Sequence, residues 1–403
     1  MAIHGDALSV TWVNTIGTRP MRWSAADLRR AAGKVREFAG GIRTFASLRT
    51  GLRGSSDGVK VAEPCVVSPV MWPGFRNRVQ RWVNAASMAR SIQRAVGPRR
   101  AGVRRVVLTT LPIAADLPGR LDADRWVYMA VDDFSVWPGL DGEVMDTMER
   151  RLVARVDAAV AASDTLRDRL AGMGREAEVL THGIYADHWR SPAAQTPGWF
   201  TLIHGPVVLF WGLIDARLDA AWCVRLARES GATLVLVGPT DGEPPAALRE
   251  AGVVLPGPAA YGELPAIAGR SDVLVMPYVD APVTRAMQPL KLKEYLATGR
   301  PVVARDLPAT RPWADACDVV SSEADLLAAV RRRLSDGIDA DQLAARRRLS
   351  EQTWRGKALR LSAILTGDEA ASSNARPTHP YTSTSSASAG GSPSTPNPHP
   401  RAA

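Results

Sequence analysis

Lys291 and Glu294 lie three residues apart in the stretch Pro289-Leu290-Lys291-Leu292-Lys293-Glu294-Tyr295-Leu296-Ala297-Thr298-Gly299. That spacing puts an ammonium and a carboxylate on one face of a helix that ends at Gly299. The helix start near Pro289 offers unpaired N–H groups and the positive end of the helix dipole. These groups suit a nucleotide diphosphate, with phosphates toward the dipole and Lys291 and ribose hydroxyls toward Glu294. An ordinary amphipathic helix with a glycine C-cap accounts for the same letters.

Two further places carry groups suited to chemistry. "WGLIDARLD" (211–219) follows an apolar run. Gly212 lets the backbone turn tightly beside a ligand, and Arg217 stands just before the next helix. The plain alternative is a turn glycine and a solvated helix-cap arginine. "YMAVDDFSVWPG" (128–139) ends a strand on Asp132 and Asp133. Adjacent carboxylates at a strand's C-terminal end suit holding a hydroxyl or taking its proton. Otherwise Asp133 caps a turn and Asp132 is solvated.

These residues need a scaffold of alternating strands and helices. "RRVVLTT" (104–110), "RWVYMAV" (125–131), "DAAVAAS" (157–163) and "AEVLTHG" (177–183) read as buried parallel strands, with helices over 141–155 and 163–173. "LSVTWVN" (8–14) and "EPCVVSP" (63–69) fit two strands upstream. Residues 1–186 form the first unit and 187–200 a linker. A second series over 201–340 has strands at 206–212, 232–238, 252–257, 271–277 and 300–304. Its helices fall at 218–230, 243–251, 263–270, 289–298 and 322–334. The pattern predicts an α/β protein of two doubly wound, Rossmann-like units facing a cleft. One helix over 341–366 is expected to pack back across both. Residues 367–403 hold Ser, Thr, Pro, Ala and Gly with few large apolar side chains, and are expected to be disordered.

Charge is unevenly spread. Residues 1–105 carry 19 Lys/Arg against 5 Asp/Glu, a balance of +14 in a chain of +9 overall. An excess of that size at one end suits an anionic partner. Residues 68–105 join Trp72, Phe75 and Trp82 to many arginines on an expected helix, which suits an anionic membrane surface. Solvated arginines are the simpler alternative, and no nucleic-acid-binding motif is present. Cys65, Cys223 and Cys317 match no metal or redox spacing, as expected in a reducing cytosol. No run of 18 apolar residues and no signal-peptide pattern occurs, so the expectation is a cytoplasmic protein, peripheral at the inner face of the plasma membrane.

"PLKLKEYLATGRPVVA" (289–304) resembles the donor-site helix of GT-B glycosyltransferases of group 1. "GLIDARLD" and "VDDFS" resemble the forms in a subgroup that includes teichuronic-acid-type bacterial cell-surface glycosyltransferases. The resemblance implies a GT-B fold and transfer from a nucleotide-diphosphate sugar to a cell-surface glycan or lipid-linked acceptor, with retention and without metal or other cofactor. It places Gly212 and Arg217 beneath the donor diphosphate. The turn in "GPAAYGELPAIAGRSDVLVMPY" (257–278) would border the base, with Tyr261 stacking on it or serving only as a core or surface aromatic. "LTHGIYADHW" (180–189) resembles the hinge between GT-B halves, with His182 either facing the cleft or serving a structural role, as a lone histidine more often does. Group-1 enzymes often carry two glutamates with seven residues between them. Here the first position is Ala286, and Gln288 is the nearest polar substitute. The opening strand–helix unit of the first half is not evident. A degenerate GT-B subunit that binds a partner, and a nucleotide-sugar epimerase, are the competing readings.

Overall fold

The computed structural model describes residues 9–14, 43–44, 65–72, 74–190 and 196–368. The tail from 369 and much of the first 64 residues lie outside it, so the expectations for a disordered tail and a missing opening unit fall beyond the described residues. Thirteen strands are present among them. In the first half, β1 (Thr11–Val13), β2 (Arg43–Thr44) and β3 (Cys65–Val67) form a small sheet in the order β1-β3-β2. β4 (Val106–Thr109), β5 (Arg125–Ala130), β6 (Ala158–Ala161) and β7 (Ala177–Val179) form a parallel sheet in chain order. Helices α1 (Arg78–Val96), α2 (Gly142–Val153) and α3 (Asp164–Gly172) cover it. Met148, Leu152, Leu166 and Leu170 lie fully inside the core so formed.

The second half is a single parallel sheet of β8 (Val207–Trp211), β9 (Thr233–Val237), β10 (Val254–Gly257), β11 (Val273–Met276), β12 (Val302–Arg305) and β13 (Asp318–Val320). Its order, β10-β9-β8-β11-β12-β13, reverses direction at β8. In open parallel sheets the crevice beyond the strand ends at such a reversal is where ligands bind. The run Val207–Trp211 is buried throughout, as a strand covered on both faces must be. α4 (Leu290–Ala297), preceding β12, buries Leu292, Tyr295 and Leu296 against the sheet. β13 escaped sequence reading because "DVV" is a very short apolar run.

Two elements differ from the expectation. The segment read as a linker carries helical turns at Ala186–Arg190 and Gly198–Leu202, and its Trp189 and Phe200 sit in the second-half core. Large aromatics gain more from burial than a flexible connector gains in freedom. The helix expected over 341–366 is broken into Ala340–Ala345, a 3₁₀ turn Arg346–Glu351, and α5 (Trp354–Thr366). At the break Arg346 is buried. Its guanidinium donates to the carbonyls of Ala316, Leu296 and Arg300, and so fixes this stretch to the sheet edge.

α5 does return to the first half. Its Leu361, Ile364 and Leu365 pack on Val127, Val160 and Leu180. Arg360 pairs with Glu178, and Arg125 and Arg104 donate to the carbonyls of Ile364 and Thr366. The chain thus crosses between the halves twice, and the crossings touch. Ile184 N–H donates to Gln352 O at 2.8 Å, and a parallel bridge joins Ile184 to Thr353. A Cβ on Gly183 would stand 2.6 Å from the Trp354 backbone. Gly183→Ala is therefore expected to lower stability by about 1–3 kcal/mol, the usual cost of overpacking. Thermal denaturation of the full chain checks this.

Candidate functional site

The site gathers at the switch point of the second sheet. β8 delivers Phe210 and Trp211, and β11 leads to Tyr278. α4 supplies Lys291 and Glu294 on one face, as the spacing predicts. No side chain caps the start of α4. Lys291 Nζ lies 4.3 Å from the Phe210 ring centroid and 5.1 Å from that of Tyr278. Among the described residues it has no hydrogen-bonding or ion-pair partner. Burying an ammonium costs several kcal/mol, and a desolvated cation–π contact returns about 2. The balance therefore stays against the charged form. Burial, with help from the nearby Arg217 charge, pushes the Lys291 ammonium down to about 7, against the opposing pull of Glu294 and Asp215. A bound anion would supply what the rings cannot.

Gly212 takes φ 142°, which L side chains rarely adopt, and a Cβ there would collide with Lys291 Nζ. The turn glycine and the lysine are thus one unit: the missing side chain is the space the ammonium fills. Glu294 is buried and accepts from Trp211 Nε1 at 3.4 Å. Burial raises its carboxyl, against the Trp211 indole, the Lys291 charge and the Tyr261 hydroxyl. Tyr295 beside it bonds both backbone groups of Trp211, through N–H at 2.9 Å and C=O at 3.3 Å. This locks the strand end to the helix.

The other expected residues divide. Arg217 is held by Asp215, which accepts from its Nε at 3.0 Å and pairs with its Nη2 at 2.8 Å. Its guanidinium also lies 5.2 Å from the Trp137 ring of the first half. It borders the cleft as a paired cation. Gln288 is half-buried in the loop between a short helix, Pro282–Ala286, and α4. Tyr261 is 48% exposed and stacks on His188, centroids 4.3 Å apart and 3° from parallel. One face of Tyr261 is thus taken by the protein.

The acidic pair is split. Asp133 accepts from Ser135 N–H at 3.0 Å and Ser135 Oγ at 2.5 Å, and Arg169 stands 3.5 Å away. It closes the turn. Asp132 forms no such bond. Burial raises it to about 6, against the attraction of Arg217, with Asp133 adding repulsion. His182 lies at the crossing between the halves, its ring 6.1 Å from Trp354. Burial, then the Lys293 and Lys357 charges, hold it down to about 4, so the ring is neutral at physiological pH.

Sequence reading missed Lys293. It is 2% exposed, and its Nζ donates to Thr181 Oγ1 at 2.9 Å, His182 O at 2.5 Å and Gln352 Oε1 at 3.0 Å. Its signal was present in "LKLKE": a second lysine two positions on must face another side of the helix from Lys291. Ser163 and Trp137, which reach the second half from the first, carried no signal of their own.

Comparison with known proteins follows the same division. Residues 206–336 match the family described as glycosyl transferases group 1. The chain is 30% identical over 228 residues to TuaH of Bacillus subtilis (strain 168), a protein named for a teichuronic acid biosynthesis glycosyltransferase; the match covers 53% of this chain and 57% of that one. The chain therefore spans little more than half the length of the curated relative it matches. Sucrose-phosphate synthase from Thermosynechococcus elongatus shares the fold with a TM-score of 0.60 at 14% identity, over 91% of this chain and all of that one. Anabaena HepE, solved in complex with UDP, superposes with a TM-score of 0.57 at 12% identity, over 75% of this chain and 85% of its own. The protein is thus built on the GT-B fold, and residues 206–336 of its second half match the group 1 glycosyl transferase family.

Proposed function

We propose that the protein transfers a sugar from a nucleotide-diphosphate sugar to a cell-surface glycan or lipid-linked acceptor. The observation that carries this reading is the Lys291 ammonium, held against two aromatic rings beside the open start of α4 with no hydrogen-bonding or ion-pair partner among the described residues. In this reading the diphosphate takes that place, and Glu294 receives the ribose hydroxyls. The bond from the anomeric carbon to the diphosphate oxygen breaks as the acceptor oxygen bonds to that carbon. Lys291 and the helix N–H groups take up the charge that develops on the leaving diphosphate. Asp132 accepts a hydrogen bond from the acceptor hydroxyl and aligns it. With departure and attack on one face, as retention requires, the hydroxyl proton passes to the leaving phosphate oxygen. No metal enters this scheme.

UDP is a suitable probe, because the structural neighbour HepE was solved with it. Calorimetry should show UDP binding that Glu294→Ala and Lys291→Ala each weaken by about 1–3 kcal/mol, the cost of losing a charged hydrogen-bond partner. Because Lys291 titrates near 7 when free and must be charged when bound, UDP binding at pH 8 should take up protons. Unchanged affinity in both variants would overturn the donor site.

The pH dependence of transfer tests Asp132. Its ionised carboxylate holds and orients the acceptor hydroxyl far more strongly than the protonated acid or an amide would, and its pKa is raised to about 6. Transfer should rise with pH through about 6 on the acid side, and Asp132→Asn should remove most activity together with that limb. An acid limb that persists in Asp132→Asn would assign it to another group.

The first half offers a surface for the acceptor's setting. On and beside α1, Val70, Trp72, Val79, Trp82 and Val83 are exposed among the exposed Arg78, Arg90 and Arg94. Phe75, grouped with the tryptophans in the sequence reading, is instead buried, and Arg81 is half-buried against Asp116. Among the described residues no helix is long and apolar enough to cross a membrane. We therefore place an anionic bilayer against α1, attached from the side where the nucleotide-sugar is made. The protein should sediment with anionic vesicles and be released by salt, which screens exposed charges beyond about 8 Å at physiological strength. Reversing Arg78, Arg90 and Arg94 to Glu should abolish attachment and leave UDP binding intact.

A further inference from the structure

The short helix Pro282–Ala286 belongs to the second half by chain order, yet its end is built into the first half. Ala286 is 3% exposed and lies within the first-half core. Its carbonyl accepts from Ser163 Oγ at 2.7 Å, and the Arg285 carbonyl accepts from Thr165 Oγ1 at 3.2 Å. These are the last carbonyls of a helix, which have no partner within it. Ser163 is at the same time the N-cap of α3, accepting from Leu166 N–H at 3.3 Å. One buried hydroxyl therefore joins the C-terminal end of a second-half helix to the N-terminal end of a first-half helix.

The docked piece is rigid in itself. Thr284 is fully buried, accepts from Ala281 N–H at 3.0 Å, and lies 2.6 Å from the Val279 carbonyl and 2.9 Å from that of Ala281. Gln288 follows Ala286 by two residues and Lys291 by five. A rigid turn fixed at Ala286 leaves little slack before α4. Where Arg217 meets Trp137, a second contact crosses the same cleft.

We infer that Ser163 and Thr165 are positioning residues of the donor site: they dock the 281–289 loop onto the first half, so that the start of α4 and Gln288 are set in place only when the halves are closed. This rests on the donor reading above. It gives the missing glutamate a physical meaning. Position 286 reads no sugar hydroxyl here, because its side chain is inside the other half's core. A carboxylate would have to be buried there, at high cost.

Ser163→Asp separates docking from capping. Aspartate still accepts from Leu166 N–H but cannot donate to Ala286 when ionised, whereas Ser163→Thr keeps both roles. Thr165→Val is a milder second variant that leaves the cap untouched. Spin labels at Glu176→Cys and Glu250→Cys, both exposed positions on opposite halves, report the separation in a Cys65→Ser background; Cys223 and Cys317 are buried. Without ligand, Ser163→Asp should broaden the distance distribution toward longer values, Thr165→Val should do so less, and Ser163→Thr should match the parent. UDP affinity should fall about three- to tenfold in Ser163→Asp, the cost of one net hydrogen bond, and recover in Ser163→Thr. Distances and UDP affinity unchanged in both Ser163→Asp and Thr165→Val would overturn the inference. Failure of the parent protein to bind UDP would overturn the donor reading instead, since the distance measurement needs no ligand.

Discussion

One buried ammonium sets the geometry on which the site depends. Lys293 joins three separate pieces of chain: the helix that carries Lys291 and Glu294, the end of the first half at Thr181 and His182, and the returning segment at Gln352. Removing an ammonium from water costs several kcal/mol, so the three oxygens around it are a condition of its burial. Desolvation, with the Lys357 charge, still pulls it down to about 7. Lys291 and Lys293 are two residues apart, and the helix turns them to different tasks. One faces the joint and is fully partnered; the other faces the cleft and is not. The contrast between them, more than either alone, is what the donor-site proposal rests on.

The same division of labour recurs in the first half. Asp132 and Asp133 leave the end of β5 together, but only Asp133 is absorbed by the turn, through Ser135 and Arg169. Arg169 also contacts Asp146 and Glu149, and Glu149 accepts from the Tyr128 hydroxyl at 2.7 Å. Asp133 therefore belongs to a buried polar network that stiffens the strand end, and Asp132 is carried on it toward Arg217. The loops after β5, β6 and β7 supply Asp132, Ser163 and Thr181 in turn, so these groups, which face or touch the second half, all come from the carboxyl ends of one parallel sheet, as that architecture dictates.

Much of this was legible in the chain itself. Buried parallel strands announce themselves as short apolar runs, and all of those expected from β4 to β12 are present. Lys291 and Glu294 were legible because three-residue spacing on a helix leaves no choice of face. Other features depend on contacts between distant segments and leave no local trace. The plain alternative for the aspartate pair gives the turn to Asp133, as found, but nothing local shows that Asp132 is half-buried rather than solvated. His182 looks like a cleft residue until α5 comes back to cover it with Trp354. The 341–366 stretch has helical composition, and the contacts that accompany its break, Arg346 with distant carbonyls and Gln352 and Thr353 with Ile184, lie outside the segment. Trp189 looked like part of a connector because its core partners, such as Trp211, stacked 5.2 Å away, lie outside its own segment.

The two crossings between the halves lie side by side and are bonded to each other at Ile184, Gln352 and Thr353. Two separated connections would clamp the halves against turning; two adjacent ones act as a single narrow pivot. Relative motion is then confined to rotation about that point, and displacement grows with the radius from it. Lys293, gripping residues at the pivot, sits where any swing is smallest. Contacts between the halves away from these segments, such as Ser163 with Ala286 and Arg217 with Trp137, would move in proportion to their distance from the pivot. An opening of the halves would then be read at each contact as leverage, set by its distance from that pivot rather than by the strength of any one bond.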